Sequence, residues 1–153
     1  MALSAVAKRY NAGQSLIEVL IAITVVTVVL ITLVSAIVMA IRGVRFSKEK
    51  IKATFLVQEG MEWARGQRSS LGWADFVDQA NASGARYCLV NLDFSLVGAC
   101  NQSQLVASIF IRELVLTNLG NNTVKVNVKV SWDEGGKVFA SEVETTLTKW
   151  EAQ

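Results

Sequence analysis

From Val19 to Ile41 the chain carries no charge, only Val, Ile, Leu, Ala and Met broken by Thr24, Thr27, Thr32 and Ser35. Those 23 positions predict a helix about 34 Å long, enough to cross a hydrocarbon core of about 30 Å. Past Ile41 the composition stays helical but turns amphipathic. Arg42 to Arg68 is rich in Ala, Lys, Glu, Gln, Met and Leu, so one helix is predicted from about Ser15 to about Gly66. On a helical wheel Phe46, Ala53, Leu56, Val57, Gly60 and Ala64 share one broad face, flanked by Met61 and Trp63. Val44, Ile51 and Phe55 lie roughly opposite, among Lys48, Gln58 and Glu62. A helix packing on its own domain needs one such stripe. The second is either a face for neighbouring helices or a scatter of ordinary surface hydrophobes.

The remaining chain changes period. Ser69 to Gly84 reads as a loop holding a short helix, Trp73 to Ala80, and Ala85–Val90 and Phe94–Val97 read as short strands. Gln104 to Asn118 is apolar with imperfect alternation, and Thr123 to Trp132 alternates cleanly, Val124 to Trp132 against Lys125, Asn127, Lys129 and Ser131. Asp133-Glu134-Gly135-Gly136 signals a hairpin turn, after which Lys137 to Lys149 returns with Phe139, Val143 and Leu147 on one face. Consecutive strands on short turns make an antiparallel meander whose apolar face needs a cover, and the Phe46–Ala64 stripe supplies it. The fold class is α+β.

Composition narrows the chemistry. The chain has no histidine, the commonest general base and metal ligand, and its two cysteines cannot build a Cys-only zinc site. Neither a nucleophile motif nor a metal-ligand cluster stands out. A catalytic site, a metal and a cofactor are therefore not expected. Net charge is +2 for the full chain, too little for a strongly basic nucleic-acid binder. The row Lys125, Asn127, Lys129 reads as a solvated strand face opposite Glu142 and Glu144 rather than a phosphate track. Trp63, Trp73, Trp132 and Trp150 read as core or cover residues rather than a stacking platform.

Three readings compete for the N-terminus. A cleaved secretory signal has an apolar core of about 7–15 residues followed by a small-residue cleavage site. The run here is longer, although Val38-Met39-Ala40 mimics such a site. A plain signal anchor fits the length but gives no purpose to Glu18 or to the Gly13-Gln14 junction. The third reading is cleavage before the apolar run. Gly13-Gln14-Ser15-Leu16-Ile17-Glu18, followed by that run, resembles the cleavage and methylation motif of type IV prepilins and pseudopilins.

The resemblance implies that a prepilin peptidase cuts after Gly13, that Gln14 becomes the methylated N-terminus, and that Glu18 is the acid at the fifth mature position. Gln14 stands where Phe or Met is usual, and Lys8 and Arg9 are separated from Gly13 by Tyr10-Asn11-Ala12. Loss of the leader leaves thirteen basic against thirteen acidic residues. An ionisable group at the edge of an apolar span needs a partner. Glu18 is expected to find it in the Gln14 ammonium of a neighbouring subunit; the bland alternative is an acid snorkelling to the headgroups. Positive-inside counting sets Lys8 and Arg9 against Arg42, Arg45, Lys48, Lys50 and Lys52, which favours a cytoplasmic C-terminus. The resemblance implies the reverse, and its motif is sharper than a charge count.

The stretch Gln58-Glu59-Gly60-Met61-Glu62 also resembles minor pilins and pseudopilins. There Gly60 would permit a strand to approach closely and Glu62 would pair with Arg65. Cys88 and Cys100 enclose eleven residues; in an exported domain their bridge would add about 3 kcal/mol, the alternative being two reduced thiols on a buried strand. The implied organisation is a leader (1–13), a membrane and assembly half-helix (14–41), an extramembrane half-helix (42–68) and an exported head (69–153), in the pilin-like fold. The implied role is a minor pilin or pseudopilin of a type IV pilus-like or type II secretion-like fibre. It would sit single-pass in the bacterial cytoplasmic membrane, with the head outside, before joining a periplasmic or cell-surface fibre. Its partners would be the peptidase, other pilins, an inner-membrane assembly platform and lipid. The alternative is a pilus-tip binding module, an adhesin or a DNA-capture subunit.

Overall fold

The computed structural model describes residues 12–149, with side chains from Leu16 onward; the leader up to Asn11, including Lys8 and Arg9, and Trp150 lie outside the described residues. Helix α1 runs Ala12–Ser70. The chain divides into two compact units, residues 1–45 and 46–153.

In the first unit every described side chain from Leu16 to Ile41 is exposed. Among the described residues one helix is long and apolar enough to cross a membrane, and it is this one. Its four hydroxyls bond back to their own helix: Thr24 Oγ1 to Ile21 O (2.8 Å), Thr27 Oγ1 to Ile23 O (2.7 Å), Thr32 Oγ1 to Val29 O (2.8 Å) and Ser35 Oγ to Ile31 O (2.9 Å). Each polar hydrogen is satisfied without water, which lets these residues sit in hydrocarbon at little cost.

In the second unit α1 continues past the expected end at Gly66. One glycine costs a helix about 1 kcal/mol relative to alanine, and Gln67 to Ser70 carry it on. Leu71 N closes the last turn on Gln67 O (2.9 Å), and the left-handed stop is Gly72 (φ 84°). Helix α2 follows (Trp73–Asp78), with Phe76 buried.

Four antiparallel strands form one sheet in the order β1 (Ala85–Cys88), β2 (Phe110–Gly120), β3 (Thr123–Glu134), β4 (Lys137–Thr148). Glu134 pairs with Lys137, leaving Gly135 and Gly136 as a two-residue turn with φ of 64° and 81°, the conformation that matches strand twist. Asn121 and Asn122 (φ 50° and 56°) make the equivalent turn between β2 and β3. The core lies between sheet and helix: Ala53, Val57, Met61 and Ala64 of α1 against Leu114, Leu116 and the alternate valines Val124 to Val130. Phe46, Phe139 and Trp132 extend it as an aromatic cluster, Phe46 and Phe139 meeting edge-on at 4.9 Å.

Two expectations are corrected, and one residue on its expected face is less covered than its neighbours. No strand forms at Phe94–Val97; a single bridge joins Val97 to Tyr87, because the Phe94 ring turns inward onto Trp63 (4.8 Å) and Tyr87 (5.0 Å). Strand β2 starts at Phe110 rather than Gln104. Side-chain hydrogen bonds turn residues 101–104, and left-handed Ala107 and Ser108 reverse the chain before the strand. Val143 faces the helix side yet is exposed, because the helical stripe covers β3 fully and the edge strand β4 only in part.

Candidate functional site

The first candidate region is the start of α1. Gly13 and Gln14 lie within the helix, and Glu18 follows Gln14 by four residues, which places the two positions on one face. The Glu18 side chain is exposed, next to Ile17 and Val19, and forms no hydrogen bond or ion pair among the described residues. A carboxylate at the head of an uncharged apolar rod, with no partner among the described residues, is available to a cation.

The second region locks helix to sheet. Arg112 points inward from β2 with only 3% of its side chain exposed. Its Nη1 donates to Glu59 Oε2 (2.6 Å) and, more weakly, to Leu56 O (3.4 Å), while Nε donates to Leu89 O (3.1 Å). Gly60 makes this approach feasible: a Cβ there would stand 3.0 Å from Val128 Cγ1 and 3.5 Å from Arg112 Cδ. Glu62 pairs outward with Arg65 (2.7 Å). The Gln-Glu-Gly-x-Glu stretch is thus a packing device, with Glu59 holding the buried guanidinium, Gly60 making room and Glu62 facing solvent.

Sequence reasoning assigned no role to Glu59 or Arg112. The available signal was the alternation Phe110, Arg112, Leu114, Leu116, which puts the arginine on the buried face once the strand is started at Phe110.

Cys88 and Cys100 form a disulfide (S–S 1.98 Å) that ties the 89–100 loop back to β1. Cys100 N also donates to Glu113 Oε1 (3.0 Å). On the same loop the Asp93 carboxyl is held below its ordinary range by the hydroxyl and backbone N–H of Ser95. Burial pushes the Tyr87 phenol above its ordinary value; its hydroxyl donates to Gln79 O (2.7 Å).

The outer face of the sheet carries charge of both signs. Lys125 meets Glu144 (3.3 Å), Asn127 Nδ2 donates to Glu142 Oε1 (2.5 Å), and Arg86 faces Glu113 (3.6 Å). Trp132 is buried, and Trp63 and Trp73 pack against the core. Among the described residues there is no cluster of His, Cys, Asp and Glu that would hold a metal.

A family model, the prokaryotic N-terminal methylation motif, matches residues 8–34. The chain carries the hallmark of type IV prepilin-like proteins. That match takes in Gly13, Gln14, Glu18 and the first part of the apolar run. The prepilin-like N-terminus is joined to a pilin-like α+β architecture, a long apolar helix followed by a four-stranded antiparallel sheet. Such a chain points to a structural subunit processed by prepilin peptidase and assembled with other pilins, anchored in a membrane. No curated protein and no solved structure matches the chain.

Proposed function

We propose that the chain is a minor pilin or pseudopilin. It is inserted single-pass in the cytoplasmic membrane with its head outside, cut between Gly13 and Gln14, methylated on Gln14, and drawn by an inner-membrane platform into a pilus-like or secretion-type fibre. The observation that carries this reading is the exposed, uncharged run headed by Gly13-Gln14 and by Glu18, which has no partner among the described residues. Glu18 pairs with the Gln14 ammonium of a neighbouring subunit. Each charge alone is costly in an apolar bundle, and pairing offsets much of that cost. Methylation has a second use here, since unmodified N-terminal glutamine cyclises to a neutral group and would lose the cation.

The charge pattern of the sheet argues against the DNA-capture alternative. Lys125 is paired with Glu144, and Glu142 is bonded to the Asn127 between the two lysines, so phosphates meet no uninterrupted cationic row.

The test is mass spectrometry of the full chain expressed with a working prepilin peptidase. The expected product begins at methylated Gln14; a polypeptide that still begins at Met1 overturns the reading. Glu18→Ala is expected to be inserted and cleaved normally yet absent from sheared fibres, as read by immunoblot. Normal incorporation of that variant removes the pairing.

A further inference from the structure

We propose that the head carries asparagine-linked sugar: Asn101, and to a lesser extent Asn81, is glycosylated on its side-chain amide by a transferase that draws on a lipid-pyrophosphate-linked oligosaccharide. The proposal rests on the reading that the head is exported, because such transfer takes place on the outer side of the membrane.

Three asparagines are followed at the second position by a hydroxyl, with no proline between: Asn81-Ala82-Ser83, Asn101-Gln102-Ser103 and Asn121-Asn122-Thr123. That spacing is the acceptor motif of asparagine-linked glycosylation, which calls for a surface loop in an exported protein. All three asparagines are exposed and lie between the helices and strands of the head. The motif alone does not distinguish them; the hydrogen bonds do.

At Asn101 the side-chain Oδ1 accepts from Ser103 N (3.0 Å) and from Ser103 Oγ (2.6 Å). A backbone N–H can only donate, so the atom facing it is the oxygen. Nδ2 is left on the other side of the amide and makes no hydrogen bond among the described residues. At Asn81 the Ser83 hydroxyl donates to Oδ1 (3.1 Å), and the Asn81 carbonyl is held by Gly84 N (3.2 Å) and Asn118 N (2.9 Å). In both turns amide and hydroxyl are presented together, so a transferase that reads the pair finds it assembled and little freedom is lost on binding. At Asn121 the Thr123 hydroxyl donates instead to the backbone Asn121 O (3.1 Å), and Thr123 is already paired with Thr148 in the sheet. That asparagine is expected to stay bare.

In the transfer, Nδ2 attacks the anomeric carbon of the lipid-linked sugar. An N–C bond forms and the C–O bond to pyrophosphate breaks. The lipid pyrophosphate leaves with that electron pair, and the amide proton passes to a carboxylate of the transferase. An exported head is tethered by its own apolar helix to the membrane that holds the lipid donor, which raises their effective concentration for each other. Gln79 and Ala99, two residues before the acceptors, are uncharged. The transferase is therefore one that reads the asparagine and the hydroxyl and needs no acid ahead of them.

The test uses the full chain with prepilin peptidase, in cells whose transferase of this kind and lipid-linked oligosaccharide already modify an exported control protein. Mass spectrometry is expected to find sugar on Asn101 and, at lower occupancy, on Asn81. Asn101→Gln removes the larger signal. Ser103→Ala is expected to lower occupancy at Asn101 about tenfold, the loss of one recognition hydrogen bond, while Ser103→Thr restores it. Tryptophan emission stays unchanged throughout, which separates lost recognition from lost folding. A bare Asn101 overturns the proposal. So does sugar on Ser83 or Ser103 in place of asparagine, or on Asn121 ahead of Asn101. If Asn101 is bare while the chain begins at methylated Gln14 and protease added to spheroplasts digests the head, the glycosylation fails and the subunit reading stands. If the head is sheltered from that protease, it is cytoplasmic and both fail.

Discussion

Val29 and Val126 are the same residue, yet Val29 is half exposed and Val126 is sealed completely. Around Val29 the helix is uncharged on every side, its nearest hydroxyl (Thr32) being turned onto Val29 O, so no face is distinguished and no surface within its own unit is there to receive it. Around Val126 apolar and polar residues alternate, so one face of β3 is closed by α1 and the other stays in water. The lesson concerns who supplies the cover. The second unit buries its apolar residues against itself, whereas the first requires lipid or other helices to do so.

The same substitution at both sites breaks that contrast most sharply. Val126→Asp buries an unpartnered carboxylate, and the head is expected not to fold, read as loss of the blue-shifted tryptophan emission and of protease resistance. Val29→Asp costs about 2.5–3.5 kcal/mol of membrane insertion by the translocon scale. It should lower the membrane-inserted fraction while the head's tryptophan unfolding midpoint stays put, since all four tryptophans lie beyond residue 45. A head destabilised by Val29→Asp would mean that the two units share stability.

Removing the bridge with Cys88→Ser and Cys100→Ser together should cost the head about 2–4 kcal/mol, measured by denaturant unfolding, with insertion unchanged. Glu59→Ala leaves Arg112 buried without its acid; because Glu59 is itself half exposed, a loss of about 1–3 kcal/mol is expected. Tyr87 gives the smallest effect. Burial raises its phenol pKa, so the folded state favours the protonated form. That stability is fully present below the ordinary tyrosine value near 10 and is lost as pH rises through the folded value above it. Tyr87→Phe should remove this alkaline loss, seen as a flatter unfolding midpoint against pH.

What the sequence made readable follows from how local each signal is. The apolar run, the β3 alternation and the Gly135-Gly136 turn are each set by a few adjacent residues, and each is present in the structure. The stripe from Phe46 to Ala64 also faces the core as the wheel predicts. The segment between β1 and β2 was not readable. Its path is set by Asn and Ser side chains turning on their own backbone and by left-handed Ala107 and Ser108, which carry no glycine to announce them. The misplaced start of β2 then hid Arg112, because a strand begun at Gln104 gives no clear inward face. Glu59 was equally hidden: its partner lies 53 residues away in sequence.

The hydroxyl protons of Thr24, Thr27, Thr32 and Ser35 are all engaged by carbonyls of their own helix. No lateral donor is left along that rod to catch an adjacent one. Two such rods can slip or rotate past each other with almost no polar penalty, like greased pistons. The stagger at which they stop must therefore be dictated from the ends, where ionic groups and folded heads first become available.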